Sequence, residues 1–353
     1  MAKEERLSGP ANDLEQELAK ALSYEQFRKW RPSWTRKLRR EMEYLVYLGG
    51  LWLAERCSLE RLQFLGGMLG QFVHVLLYKE RGIVLFQLEQ VFPELSPEER
   101  RVWCRECFGH FGQLLMEFLG MQRIDEIWPD CCEIENEELL RQALKRGKGV
   151  LLMALHQGNW ELISLYAKHA GITMHAATTN VPEARINERM LKRRENQYMR
   201  IIRRGESGAV RKLLNCLKHQ QVLVLANDQD TNVPSNWVPF FGIPAKTPVG
   251  LATMALKTGA PILSYVILRQ DGGRFKLIFD SVGSFGPNAA GPGEVYSLNK
   301  ELNRHLEFMI RREPKQWAWF HRRWRHRPGP EEFRQIKQLE QSSGPTHPIS
   351  KAG

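Results

Sequence analysis

The residues best placed for chemistry lie in His156-Gln157-Gly158-Asn159-Trp160-Glu161, directly after Gly149–Leu155 (GVLLMAL), a short apolar run that reads as a buried strand. Five positions along one straight helix would turn an imidazole and a carboxylate roughly 140° apart. His156 and Glu161 can meet only if the chain turns between them, and Gly158 permits the turn. Asn159 then caps the next helix, with Glu161 in its first turn. A carboxylate beside one imidazole nitrogen fixes the tautomer and leaves the other nitrogen as a base toward a hydroxyl. No serine or cysteine nucleophile stands in this segment, which favours direct transfer over a covalent intermediate. The same spacing also suits a strand-end histidine bonded to a backbone carbonyl.

The elements that must hold this segment follow an alternating pattern from about 129 to 312. Candidate strands are Gly149–Leu155, Ile172–Ala177, Val222–Ala226, Ile262–Leu268 and Phe275–Phe279. Candidate helices are Glu137–Lys145, Trp160–His169, Ala184–Arg200, Ser207–His219, Pro248–Thr258 and Glu294–Arg312. The fold class expected is α/β: a mixed, mostly parallel central sheet flanked by helices, with an N-terminal helical membrane-associating region. Four zones are expected: a polar lead over 1–35, the helical region over 36–128, the α/β core over 129–328 and a mobile tail over 329–353. In the helical region Ser96, Pro97 and Glu98-Glu99 supply a helix start. No phosphate loop or dinucleotide glycine fingerprint follows a predicted strand, and no internal repeat is seen.

The chain has 353 residues, with 51 Lys plus Arg against 40 Asp plus Glu, a net charge of +11. That balance suits a polyanionic partner such as a phospholipid surface, an acidic carrier protein or nucleic acid. A 42% hydrophobic share argues against wholesale disorder and against a polytopic membrane protein. No apolar run reaches the ~20 residues a spanning helix needs. Tyr44–Ala54 and Phe64–Tyr78 are shorter, separated by charges and preceded by Arg36, Lys37, Arg39 and Arg40, with Trp34, Tyr44, Tyr47 and Trp52 as interfacial aromatics. A helical hairpin lying in one leaflet fits these numbers, as do two amphipathic helices of a soluble core. The first thirty residues are polar and charged, with no secretory signal, and the six cysteines read as reduced thiols. Cys104-x-x-Cys107 sits in a helical pattern without a second pair, so buried thiols are expected there. Neither a metal nor another cofactor is expected.

Near the C-terminus, Arg322-Arg323-Trp324-Arg325-His326-Arg327 follows Trp317, Trp319 and Phe320. Its arginines suit phosphates of lipid headgroups or of a phosphopantetheine carrier, or can snorkel over apolar neighbours. No nucleic-acid module accompanies them, so no nucleic-acid partner is expected. Lys192-Arg193-Arg194, with Arg200, Arg203 and Arg204, forms a second basic run, read as a solvated helix face or one turned toward anionic lipid or an acidic carrier helix.

His156–Glu161 resembles the His-x4-acid motif of the lysophospholipid acyltransferase superfamily, and its Gly-Asn-Trp is similar to the branch that adds the late acyl chains to lipid A. Further blocks resemble that branch in order: Val91–Arg100 (VFPELSPEER), Asp228-Gln229-Asp230 with Trp237–Thr247 (WVPFFGIPAKT) and Thr258–Pro261, then Gln316–Pro328 (QWAWFHRRWRHRP). The resemblance spans roughly residues 80–328. It implies acyl transfer from an acyl-carrier-protein thioester to a hydroxyl of a lipid A precursor. It also implies residence on the cytoplasmic face of a bacterial inner membrane, without a full span. His156 would be the general base, Glu161 its orienting partner and Asn159 a donor to the oxyanion. Asp228, Asp230, Arg189, Arg322 and Arg323 would bind substrate; loop-capping is the plain alternative for the two aspartates. Where the family often carries an arginine after the third strand, this chain has Thr178-Thr179-Asn180, so that contact is either missing or supplied by Arg185 or Arg189. Groove candidates are Met153, Trp160, Leu162, Trp237 and Phe240. A glycerophospholipid or another glycolipid acceptor, with an acyl-CoA or acyl-carrier donor, is the alternative within the superfamily. A non-enzymatic basic binding protein is the alternative outside it.

Overall fold

A computed structural model describes residues 34–285 and 291–342. Most of the polar lead, and the tail from 343 onward, lie outside the described residues. Contacts divide the chain into Met1–Leu45 and Val46–Gly353. The described part of the first unit is the opening of a helix, where Arg39 and Glu43 pair at 2.7 Å. The rest of that helix and all the elements after it belong to the second unit.

Helices come first: α1 (Trp34–Ala54), α2 (Leu59–Leu76), α3 (Tyr78–Val91), α4 (Pro97–Leu119), and the short α5 (Met121–Glu126) and α6 (Trp128–Cys131). Their starts follow local chemistry. At α4 the Ser96 hydroxyl accepts the Glu99 N–H, the Glu99 carboxylate accepts the Ser96 N–H, and Pro97 occupies the first turn. Helices α2 and α4 cross at glycine: a Cβ on Gly112 would stand 2.0 Å from the Gly66 carbonyl oxygen. Only hydrogen at that position lets the two backbones touch.

The α/β part runs β1 (Cys132–Glu135), α7 (Glu137–Lys145), β2 (Val150–Gly158), α8 (Ile163–Ala170), β3 (Met174–Thr178), α9 (Ala184–Arg194), β4 (Met199–Arg203), α10 (Ala209–Lys218) and β5 (Val222–Ala226). A two-stranded hairpin of β6 (Ser235–Phe240) and β7 (Ile243–Pro248) follows. Then come α11 (Gly250–Thr258), β8 (Ile262–Arg269), β9 (Phe275–Gly283), α12 (Pro292–Arg312) and α13 (Pro330–Ser342). Seven strands form one sheet in the order β1-β9-β8-β2-β5-β3-β4, with only β8 and β9 antiparallel neighbours. The expected mostly parallel α/β sheet is therefore present.

Alternation along the central strands builds two apolar layers. Leu151, Met153 and Leu155 of β2, with Leu223 and Leu225 of β5, join α3, α11 and α12 on one face. Val150, Leu152 and Ala154, with Val222 and Val224, join α7 and α8 on the other. A strand buried on both faces reads as a continuous apolar run, which is why these strands are visible in the sequence.

Several boundaries differ from the sequence reading, each for a local reason. Strand β2 continues to Gly158 rather than stopping at Leu155, because Gln157 bridges Trp317 and the Ala318 N–H donates to the His156 carbonyl. The helix expected over Ala184–Arg200 ends at Arg194. Beyond it the Asn196 side-chain oxygen accepts the Tyr198 and Met199 N–H groups and turns the chain into β4. Residues 330–342 of the expected tail are the helix α13, whose Glu340 accepts the Tyr296 hydroxyl.

Among the described residues no helix is long and apolar enough to cross a membrane. Val46 and Trp52 of α1, and Phe64, Met68, Phe72, Val75 and Leu76 of α2, are exposed. All six cysteines are free, and five are buried, including Cys104 and Cys107. Only Cys57, between α1 and α2, is partly open.

Candidate active site

His156 and Asp228 come together at the carboxyl edge of the sheet, His156 on β2 and Asp228 two residues past its neighbour β5. That edge is where open α/β sheets place ligands. The Asp228 Oδ1 lies 2.8 Å from His156 Nδ1, so Nδ1–H donates to the carboxylate and Nε2 is left for a substrate. Asp228 Oδ2 accepts two more bonds, from the His156 backbone N–H at 2.7 Å and from Trp317 Nε1 at 2.9 Å. The Asp228 side chain is 1% exposed and that of His156 22%. Burial opposes the Asp228 charge, but the imidazole beside it and these hydrogen bonds outweigh it and bring its pKa down to about 2. The Trp160 ring meets the imidazole edge-on, with centroids 4.9 Å apart.

Glu161 is not the carboxylate on the His156 ring. Both its oxygens are held by Arg194, Nε to Oε2 at 2.6 Å and Nη2 to Oε1 at 2.5 Å. Arg194 also donates to the Thr178 hydroxyl at 3.3 Å. Burial lowers the arginine's basicity, but Glu161 more than restores it, so the pKa of Arg194 lies above its ordinary value. Histidine, carboxylate and guanidinium nonetheless share one cavity of about 140 Å³, whose lining also includes Trp160, Thr178 and Tyr265. Ser164 in the same lining is engaged with the Glu161 carbonyl oxygen. Arg194, rather than Arg185 or Arg189, is the arginine in the lining of this cavity, and Arg189 lines a different one. Reading α9 as running to Arg200 hid this arginine, because it placed Arg194 in mid-helix rather than at a helix end beside the sheet.

Other expected site residues have structural partners. Asn159 makes no capping bond. It is fully buried and donates to Glu117 at 2.8 Å. Gly158, at φ +62°, sits where a Cβ would lie 2.0 Å from the Ile267 carbonyl oxygen, so the chain leaves β2 against the backbone of β8. Asp230 is buried; its Oδ2 lies 2.7 Å from His326 Nδ1 and its N–H donates to His321 Nε2. Arg323 is 0% exposed: it donates to the Lys246 carbonyl and the Thr247 hydroxyl and lies over the Phe240 ring. Burial pulls its pKa down to about 10 despite Asp228 and Asp230 nearby. Arg322 is exposed. Of the groove candidates, Met153, Leu162 and Phe240 are core, Trp237 is half-buried, and Trp160 lines the cavity.

A buried network fixes the strand end. Arg269 on β8 binds Glu117 on α4 through both carboxylate oxygens at 2.6 Å, and Gln63 on α2 donates to the same carboxylate at 2.8 Å. Asn159 completes the set, so the helices, the sheet and the end of β2 share one carboxylate. His110 on α4 lies 2.5 Å from Arg269 Nη1. Burial first, and then Arg269, hold it neutral, with its pKa well below the ordinary value.

Residues 32–326 match the sequence profile of the bacterial lipid A biosynthesis acyltransferases. The chain is 26% identical over 300 residues, 80% of this chain and 90% of the relative, to the lipid A biosynthesis palmitoleoyltransferase of Escherichia coli K12. It is 27% identical over the same span to that organism's lipid A biosynthesis lauroyltransferase. A shorter match, 28% over 126 residues (35% of this chain, 40% of the relative), is to a phosphatidylinositol mannoside acyltransferase of Mycobacterium tuberculosis. With a family profile covering most of its length and a histidine–carboxylate pair opening on a cavity, the chain belongs to the bacterial lipid A biosynthesis acyltransferase family and is an O-acyltransferase.

Proposed function

We propose that the protein transfers a fatty acyl chain from an acyl-carrier-protein thioester to a hydroxyl of a lipid A precursor, with His156 as general base. The observation that carries the base assignment is Asp228 bonded to His156 Nδ1, which leaves Nε2 free beside the cavity. Nε2 takes the proton of the acceptor hydroxyl as its oxygen attacks the thioester carbonyl. The tetrahedral intermediate collapses, the C–S bond breaks, and the imidazolium returns the proton to the departing thiolate. Asp228 orients the ring and stabilises its charged form. Arg194, held by Glu161 at the cavity wall, supplies positive charge toward the oxyanion. Exposed Arg322, Arg325 and Arg327 suit the acidic carrier, and the exposed apolar side chains of α1 and α2 suit attachment to the cytoplasmic face of the inner membrane.

Replacing His156 by Ala is expected to lower turnover by about 10²–10⁴ while the chain stays folded. Retention of full activity in the folded variant removes His156 from the mechanism. Mass spectrometry of lipids from cells with and without the gene tests the acceptor: one added acyl chain on a disaccharide lipid supports this reading. The partial match to a mannoside acyltransferase favours a second reading, another glycolipid acceptor, which the same spectra would reveal as an acylated glycolipid of different mass.

A further inference from the structure

Helix α9 contributes to two cavities. Arg194 reaches the one at His156, whereas Arg189, Lys192 and Arg193, one helical face of it, line another of about 580 Å³. Tyr47, Leu51, Met121 and Leu165 give this second cavity an apolar lining. Its ionisable lining is unbalanced, with Lys168, Arg189, Lys192 and Arg193 against Asp125 and Glu195. Lys168 is already committed to Asp125 at 2.5 Å, and Lys192 reaches Glu188 only at 3.6 Å on an exposed surface. Arg193, half-buried, makes no hydrogen bond or ion pair among the described residues. The Tyr47 hydroxyl, on a side chain buried in the same lining, has no partner either.

Cations in the last turn of a helix are favoured by its dipole, which accounts for their being at the end of α9. It does not account for a guanidinium left unpaired at half burial beside two further cations, with an orphaned hydroxyl in the same wall. Arg193, half-buried, stands beside the exposed Arg189 and Lys192, whose like charges raise the energy of the empty site, and a bound anion removes that cost. A guanidinium presents a planar fork that matches phosphate oxygens. An apolar lining adds room for the hydrocarbon a lipid phosphate brings with it.

We propose that this cavity binds the phosphate of an anionic lipid, with Arg193 as its main ligand and Arg189, Lys192 and the Tyr47 hydroxyl beside it. The phosphate belongs either to the acyl acceptor or to a neighbouring phospholipid. Only the choice of the acceptor as one probe rests on the acyl-transfer reading. The site is separate from His156, so it stands or falls independently of it.

The test uses the full chain and the variants Arg193→Gln and Lys192→Gln/Arg193→Gln, with Arg211→Gln/Lys218→Gln on exposed α10 as a control that removes the same charge elsewhere. Gln keeps helix propensity, and melting curves verify folding. Titration calorimetry measures binding of a phosphorylated disaccharide lipid in neutral detergent micelles, against the same lipid with its phosphates removed. Co-sedimentation measures binding to phosphatidylcholine vesicles with and without phosphatidylglycerol. Loss of one charge-assisted contact should weaken binding of the occupant about tenfold, and the double variant more. A loss confined to the phosphorylated acceptor supports the site and assigns it to the acceptor. A loss confined to phosphatidylglycerol vesicles supports it and assigns the phosphate to the membrane. Unchanged binding of both probes, or an equal loss in the α10 control, overturns the proposal. Transfer activity is scored separately: an inactive wild-type chain that still binds phosphate through Arg193 sinks the acyl-transfer reading and leaves this site standing.

Discussion

In the proposed mechanism His156 is the base, and the groups around it fix how its ring is held. Its carboxylate partner lies 72 residues away in the chain and reaches it only because β2 and β5 are neighbours. A strand ending in a histidine is visible from the sequence; which other strand lies beside it is not. The nearer acid, Glu161, is instead matched by Arg194 from another element. The same charges give a pH dependence. Asp228, brought from an ordinary 3.8 down to about 2, contributes stability fully above about pH 4 and loses it as pH falls toward 2. His305 and His321 are both held down to about 4, mainly by burial. In the unfolded chain they take up protons below 6.5, so folding stability should fall between pH 7 and 5 by on the order of 2 kcal/mol for each. Urea midpoints at pH 7 and pH 5 measure this. His305 Nε2 lies 2.7 Å from the Ser264 hydroxyl, and His305→Gln, which keeps a partner for that hydroxyl, should shrink the difference between the two midpoints. An unchanged difference would remove His305 from the pH response.

At the scale of elements, the buried Glu117–Arg269 pair joins α4 to β8 and, through Gln63 and Asn159, to α2 and the end of β2. Glu117→Gln leaves the Arg269 charge without a counterion inside the protein and should cost about 3–5 kcal/mol in chemical denaturation. Pairing it with Arg269→Met should recover most of that loss, and a double variant as unstable as the single would show the carboxylate acting through its other partners. Little of this network is legible from the sequence, because its members lie on separate helices and strands and only Glu117 stands in an otherwise recognisable amphipathic pattern. The strongest element signals were those with local causes. The cap at Ser96 and the two-faced apolar strands β2, β5 and β8 declare themselves, while β4 was masked by a helical pattern that Asn196 interrupts.

For the whole molecule, a net charge of +11 and the exposed apolar side chains of α1 and α2 act at different ranges. Charge attracts anionic lipid over about 10 Å at 0.1 M salt, whereas apolar insertion is insensitive to screening. The protein should therefore remain partly bound to anionic vesicles at high salt, and Phe64→Ser/Phe72→Ser should release it under the same conditions. Complete release of the unaltered chain by salt alone would assign attachment to charge. The short apolar runs, their flanking charges and the absence of any run of spanning length were readable in the sequence. Which of their side chains stay uncovered depends on the glycine crossing of α2 with α4, where backbones touch and leave the bulky residues outward.

The cysteines have a practical corollary. Burial pushes the thiols of Cys104 and Cys131 up to about 11 and those of Cys132 and Cys216 up to about 12, and raises Cys107 as well, so at neutral pH none of these offers an appreciable thiolate. Cys57 is left as the position open to alkylation, at the turn joining the first two helices. The native chain thus carries a built-in attachment point for a fluorophore or spin label, sited where contact with a bilayer would change its surroundings.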